Sequence, residues 1–300
     1  MVVRPVGPGL LSYLSQVSTP DSARPEDPLG DPRHWRDDLL QSALDAAGDG
    51  SWGPVAVLPS TGSTNADAGD QVREGAPEGF TIVADEQTLG RGRLDRSWHS
   101  PPGAGLAMSV VLRPIAPEST WSWAPLLSGL AVIEALEAQG VTCALKWPND
   151  IVVDGDARDG SAGPRKLGGL LVERVEGALV VGIGINVDLR GDELPVARAT
   201  STLLEGVDVR RETLVVDVLG ALRRRYLLWQ LASGDARRSG VSDDYVARCL
   251  TLGREVRAQL PGDRVVEGTA YALDDDGRLL VRQADGTTSA VSAGDLEHLR

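Results

Sequence analysis

The chain has 300 residues and a formal net charge of -13, with 42% hydrophobic and 24% charged residues. This is ordinary soluble globular composition, long enough for one or two compact domains. The acidic balance excludes the broad basic face that nonspecific nucleic-acid binding needs. No apolar run approaches the roughly 18 residues of a membrane span, and the N-terminus lacks the short apolar core of a secretory signal. Cys143 and Cys249 form no CxxC pair and read as buried thiols of a reducing compartment, with the cytoplasm as the default location. His34, His99 and His298 are scattered and give no zinc-type ligand set.

Residues 1 to about 50 are rich in Pro, Gly, Asp and Ser. They are expected to be a weakly structured extension with one short helix at "RDDLLQSALDAAG". They lack the two well-patterned helices of a helix-turn-helix. Beyond them "PVAVLPS", "GFTIVADEQ" and "LAMSVVLRP" read as strands, and "TWSWAPLLSGLAVIEALEAQG" repeats apolar residues at helical spacing up to Gly140. Three more strand patterns follow in "VTCALKWPNDIVVDG", "RKLGGLLVERVEG" and "ALVVGIGINVDL". "RRETLVVDVLGALRRRYLLWQLASG" predicts a second long helix ending at Gly234, and its run Arg223-Arg224-Arg225 reads as a solvated face. After Gly253 only strand patterns remain, with hairpin signals at Asp276-Gly277 and Asp285-Gly286. The expected fold is α+β: a mixed β-sheet with helices packed on one side, then a small β-barrel. The division is residues 1–50, 51–250 and 251–300.

Several familiar site patterns are excluded. "GIGINV" has Val187 where a dinucleotide fingerprint needs its third glycine, and no helix pattern follows. No GxxxxGK[ST] phosphate loop occurs. The unusual stretch is "GRGRLDR", Gly90 to Arg96, a Gly/Arg strip in an acidic chain. Its glycines permit close approach of backbone to ligand and positive φ, its amides can form an anion nest, and its arginines are fork-shaped donors for carboxylate or phosphate. Taken alone, it is equally a solvated turn. In "KWPND" the proline marks a break in a strand pattern, with Lys146 and Asp150 on either side. A lysine there suits phosphate and an Asp suits Mg²⁺, or the segment is an edge strand with charged ends. In "RKLGGLLVE", Lys166 precedes an apolar run and Gly168-Gly169, and it is either a ligand contact or a lysine snorkelling from the core boundary.

Together these blocks say more than any one of them. "STGSTNADA", "ADEQTLGRGRLDRSWHSPPGAGLAMSVVLRP", "KWPNDIVVDG", "RKLGGLLVE" and "VVGIGINVD" stand in that order and closely resemble a bacterial biotin protein ligase of the single-function form. The resemblance covers roughly Val55 to Arg300, the catalytic domain plus an SH3-like C-terminal domain. It implies an ATP-dependent, AMP-forming enzyme that joins biotin and Mg·ATP into biotinyl-5′-AMP and then transfers biotin to one lysine of a biotin carboxyl carrier protein. That carrier would be a protein or domain of an acyl-CoA or pyruvate carboxylase. The resemblance further implies a monomer or weak homodimer, and no nucleic-acid or membrane partner.

Carried over by position, Ser63, Thr64, Asn65 and Gln87 form the polar end of a biotin pocket, with Gly90, Arg91 and Lys166 also on biotin and Gly182 and Gly184 as a close-packed wall. Arg93, Trp98, Lys146 and Asn186 fall on the ATP side. Lys166, Arg91, Arg93 and Lys146 are the catalytic cations, and Asp150 is the metal-side carboxylate. One departure stands in the Gly/Arg strip, where Asp95 replaces the glycine of the usual GRGRxGRxW. A second is the Gly-rich insertion "GDARDGSAGP" after KWPND, which reads as a hairpin tip. A lipoate or octanoyl protein ligase shares this fold and is the alternative. It lacks the combination of GRGRxxRxW and KWPND.

Overall fold

A computed structural model describes residues 36–46, 52–93, 96–260, 264–292 and 295–299. In chain order the elements are α1 (Asp37–Ala46), β1 (Val55–Thr61), α2 (Thr64–Arg73), β2 (Thr81–Gln87), β3 (Gly105–Leu112), a 3-10 segment (Glu118–Trp123), α3 (Ala124–Ala138), β4 (Ala144–Lys146), β5 (Asp150–Val153), β6 (Arg165–Val175) and β7 (Ala178–Asn186). Then follow α4 (Arg211–Leu231), α5 (Val241–Arg248), β8 (Glu255–Leu260), β9 (Arg264–Leu273), β10 (Leu279–Arg282), β11 (Thr288–Val291) and β12 (Asp295–His298). None of the helices among the described residues is long and apolar enough to cross a membrane.

The chain divides into two compact units. The first takes the described residues up to Arg113 together with Leu170–Pro195 and Ser201–Gly220, and the second takes Pro114–Gly169, Val196–Thr200 and the residues from Ala221 onward. In the first unit β1 runs parallel to β2, β2 pairs antiparallel with β3, and β3 pairs antiparallel with β7 from Gly105↔Asn186 to Leu112↔Leu179. Helix α2 lays Ala68 and Val72 onto Phe80, Ile82, Val111, Ala178 and Val180. The sequence offers little warning of this helix. Its buried face is built from small or weakly apolar side chains, so its apolar periodicity is faint. Helix α1 also belongs here: its Leu40 is buried and the Arg36 N–H donates to Glu212 Oε1 at 3.0 Å.

In the second unit "ALKWPNDIVV" is not one strand. Strand β4 stops at Lys146, the Trp147-Pro148 bond is cis, and β5 returns antiparallel with Lys146 opposite Asp150. Asp150 in turn lies opposite Gly169 of β6. Helix α3 is buried on most sides, which fits its run of Leu, Ala, Val and Ile. The chain from β8 on forms a five-stranded antiparallel sheet in the order β11-β10-β9-β8-β12. The Asp276-Gly277 turn between β9 and β10 is a turn as expected, with Gly277 at φ 73°, a conformation that glycine adopts without a Cβ penalty. This turn docks on two tryptophans of the same unit: Trp123 Nε1 donates to Asp275 O at 2.7 Å and Trp147 Nε1 to Gly277 O at 3.1 Å.

The arginine run in α4 departs from the reading of a solvated face. Arg224 is exposed, but the Arg225 side chain is 11% exposed and clamps Glu134 of α3 and Asp244 of α5. Triple arginine looks alike at every position in sequence, and only the helix's rotation decides which one turns inward. Both cysteines are free thiols, and burial, with Glu137 nearby, pushes Cys143 up to about 12.

Candidate functional site

The first unit holds most of the expected site residues, and one polar network joins four of them, Thr64, Asn65, Gln87 and Arg91. Ser63 is the N-cap residue of α2, is buried, and makes no side-chain cap bond. Gln87, at the end of β2, does that work instead: its Oε1 accepts the Thr64 N–H at 2.9 Å and the Thr64 hydroxyl at 3.1 Å. Satisfying an orphan amide of the first turn this way fixes the helix start to the strand end. Ser109 of β3 is fully buried, with its Oγ 2.8 Å from Thr64 Oγ1 and 2.7 Å from Asn65 Oδ1. The Asn65 amide then donates to Leu171 O at 3.1 Å and to Glu173 Oε2 at 2.7 Å. Glu173 also takes Arg91 Nη2 at 3.2 Å. The polar line therefore runs from Gln87 through Thr64, Ser109, Asn65 and Glu173 to Arg91.

Ser109 and Glu173 are members that sequence reasoning did not single out. Glu173 stands in the quoted block "RKLGGLLVE", and its alternation within β6 was the available signal. For Ser109, an isolated serine in an apolar strand was the only mark.

Gly182 and Gly184 of β7 are required by space. A Cβ on Gly182 would lie 2.3 Å from Asn65 Oδ1, and one on Gly184 would lie 2.6 Å from the indole of Trp98. Both distances are shorter than real Cβ contacts, so a side chain at either position would have to push Asn65 or Trp98 aside. Asn186, at the end of the same strand, is buried, and its carbonyl accepts from Thr202 N.

The Gly/Arg strip folds back on itself. The Trp98 N–H donates to Gly90 O at 2.8 Å, and the Gly92 N–H to Arg96 O at 2.6 Å. Neither Gly90 nor Gly92 has positive φ, and the Gly92 amide is spent within the loop. The anion-nest expectation therefore gives way to a different role for glycine: a Cβ on Gly90 would lie 2.4 Å from Trp98 O. Leu94 and Asp95 lie outside the described residues, and with them the expected pairing of Asp95. Beside the loop opens a groove of about 780 Å³ whose lining includes Gly90, Arg91, Arg93, Arg96, Trp98 and Glu173. In the same unit, Asp85 and Arg211 form a buried ion pair at 3.1 Å.

The second unit holds the other three expected residues. Lys166 Nζ and Asp150 Oδ1 are 2.6 Å apart, with side chains 37% and 24% exposed. Gly169 packs beside the pair: a Cβ there would make ordinary contact, 3.4 Å from Lys166 Nζ and 3.6 Å from Asp150 Oδ1. Lys146 ends β4, opposite Asp150.

Two family models match this chain: the biotin/lipoate A/B protein ligase family over residues 57–189 and the biotin protein ligase C-terminal domain over residues 251–299. A biotin--[acetyl-CoA-carboxylase] ligase of Mycobacterium tuberculosis is 38% identical over 287 residues, covering 93% of this chain and 98% of that protein. The Aquifex aeolicus biotin protein ligase, solved in complex with biotin and ATP, superposes with a TM-score of 0.66 at 29% identity, covering 82% of this chain and 98% of that one. The Leishmania major biotin protein ligase in complex with biotinyl-5-AMP gives 0.54 at 29% identity, over 80% and 98%. The chain belongs to the biotin protein ligase family.

Proposed function

We propose that this chain activates biotin with Mg·ATP to biotinyl-5′-AMP and pyrophosphate, then transfers biotin to a lysine of a biotin carboxyl carrier protein with release of AMP. The observation that carries the reading is the groove beside the Gly/Arg strip, where three arginines of an acidic chain line one cavity next to a buried polar network. Biotin and triphosphate are both anions, and bringing them together requires concentrated positive charge.

Each group then has a task. The Ser63 hydroxyl, free of capping duty, and the Thr64–Asn65–Gln87 network meet the polar head of biotin, and Gly182 and Gly184 keep the wall thin. Arg91, Arg93 and Trp98 cover carboxylate and phosphate, excluding water from the mixed anhydride. Lys166 exchanges its bond to Asp150 for one to the biotin carboxylate and the α-phosphate. The carboxylate oxygen attacks phosphorus, the bond to the pyrophosphate oxygen breaks, and the ammonium offsets the charge on the α-phosphate oxygens. Lys146 takes the phosphate chain and Asn186 the nucleotide side. In the second step the carrier lysine's neutral amine attacks the acyl carbon, AMP leaves with the bonding pair, and the amine loses a proton to solvent.

Magnesium enters with ATP. No group of three or more His, Cys, Asp or Glu side chains that could cage a metal ion occurs among the described residues, and Mg²⁺ is commonly bound through one or two carboxylates together with substrate phosphates. Asp150 is the carboxylate that would hold the ion, which would supply positive charge to the phosphate chain. The domain division follows the same reading, with residues 51–250 catalytic and 251–300 an SH3-like module.

Incubation with biotin, Mg·ATP and a carrier domain, followed by mass spectrometry, tests the proposal. Gain of a biotinyl mass on one carrier lysine is expected. Gain of a lipoyl or octanoyl mass from the corresponding acids, with none from biotin, would replace it with the alternative.

A further inference from the structure

The KWPND turn of the second unit is fastened from the C-terminal side of the same unit at three points. Leu250 N–H donates to Leu145 O at 2.8 Å, the Trp147 N–H donates to Thr251 Oγ1 at 3.0 Å, and Trp147 Nε1 donates to Gly277 O at 3.1 Å. The middle bond bears directly on Lys146. The Trp147 N–H belongs to the peptide unit that begins at the Lys146 carbonyl, so whatever holds that N–H holds the plane from which the Lys146 side chain departs. The group that holds it is a side-chain hydroxyl, not a backbone carbonyl. Thr251 is fully buried, and its Oγ1 also lies 3.1 Å from Nε2 of His298 in β12. Among the described residues strand β12 pairs with β8, at the edge of its sheet. The last strand of the chain thus reaches the turn through one hydroxyl.

We infer that Thr251, oriented by His298, is a positioning residue for Lys146, so that the C-terminal sheet sets the affinity for ATP through the Trp147 N–H. The inference rests on the reading of Lys146 as a phosphate-binding cation. A hydroxyl is needed because the Trp147 N–H is buried and has to find an acceptor. A β-branched residue suits the position because its χ1 is stiff, which holds Oγ1 in place. An apolar isostere of the same shape would remove this oxygen and leave the N–H only the neighbouring Cys249 sulfur, a weak acceptor, so that the Lys146 peptide would rotate. A serine would keep the acceptor.

The test uses the full chain and compares Thr251→Val, Thr251→Ser, His298→Leu and Lys146→Met. Single-turnover adenylation gives KM for ATP, and calorimetry gives Kd for biotin in the absence of ATP. Thr251→Val is expected to raise KM for ATP about tenfold, the factor that corresponds to about 1.4 kcal/mol, with biotin Kd changed less than about twofold. Thr251→Ser is expected to restore KM to within about threefold of the parent chain. His298→Leu should raise it by an intermediate factor, and it keeps the test open if the valine variant does not fold. A folded Thr251→Val or His298→Leu chain with unchanged KM for ATP, alongside a Lys146→Met chain in which KM rises, overturns the positioning role alone. Equal losses of ATP and biotin affinity also overturn it, because that pattern marks general destabilisation. A Lys146→Met chain with unchanged KM overturns the assignment of Lys146 and the positioning role with it.

Discussion

The polar cluster around Asn65 and the ion pair around Lys166 are built on opposite principles. Thr64, Asn65 and Ser109 are buried, neutral and held by partners on α2, β2, β3 and β6. Lys166 and Asp150 are charged, partly exposed and joined by a short ionic contact. Buried polar groups are costly to leave unpaired, so the first arrangement is rigid and presents a fixed shape. An exposed ion pair stabilises by only about 0–1 kcal/mol, so the second is cheap to open, and its lysine is available for exchange onto an incoming anion. One region is suited to recognising a neutral head group by shape, and the other to moving charge during a reaction.

The largest test of that contrast is Lys166→Met. Removing a pre-placed cation from developing charge typically costs about 10²–10³ in rate, so single-turnover biotinyl-AMP formation should fall by about that factor. Transfer from supplied biotinyl-AMP should fall much less, because the anhydride is already made. Melting temperature should hardly move. A large loss of stability with little loss of rate would place Lys166 with the structural residues.

Gly182→Ala attacks the rigid region instead. The added methyl would meet Asn65 Oδ1 at 2.3 Å, and overpacking of this kind typically costs about 1–3 kcal/mol. The melting temperature should fall, and biotin Kd by calorimetry should rise because the methyl displaces the Asn65 side chain. Adenylation at saturating biotin should recover toward the parent rate, which separates this variant from Lys166→Met.

Ser109→Ala removes the donor to Asn65 Oδ1 and leaves a buried acceptor unpaired, at a cost of about 1–3 kcal/mol. It should lower the melting temperature and weaken biotin together, as expected of a residue whose role is to hold another in place. A chain with normal stability and weakened biotin would indicate direct contact with ligand. By contrast, Glu173→Gln loses an ion pair whose arginine is half exposed, so stability should change by less than about 1 kcal/mol. Denaturant midpoints of the two variants make the comparison.

A further effect expected is one of pH. Burial, followed by the nearby charges of Lys146 and Arg254, pushes His298 down to about 4, with Asp154 opposing. In the unfolded chain histidine titrates near about 6.5. Between these values the unfolded state binds the additional proton, so stability falls as pH drops from about 6.5 toward 4. His298→Gln should flatten that part of the stability profile, measured by denaturant melts at several pH values. An unchanged slope would mean that other groups set it.

Much of this was written in the order of residues. The blocks around Gly90, Lys146, Lys166 and Gly182 are local strings whose spacing carries the family resemblance, and the strand and helix patterns between them are local too. The turn at Gly277 follows from an Asp-Gly pair flanked by strand patterns, and the end of α3 before Gly140 from a glycine after an apolar run. What could not be read locally is who touches whom. Ser109 meets Asn65 across 44 residues, Asn65 meets Glu173 across 108, and the Trp147 N–H meets Thr251 across 104. No periodicity announces such bonds, because a serine or glutamate in a strand, or a threonine in a turn, has the same local preferences whether it faces solvent or a buried amide. The helix α2 was faint for a related reason: its face is buried by what the sheet lays against it, not by its own hydrophobicity. Sequence fixes local geometry through short-range sterics and side-chain pattern, while burial decides which polar groups must find partners, and that is settled only when distant segments close upon one another.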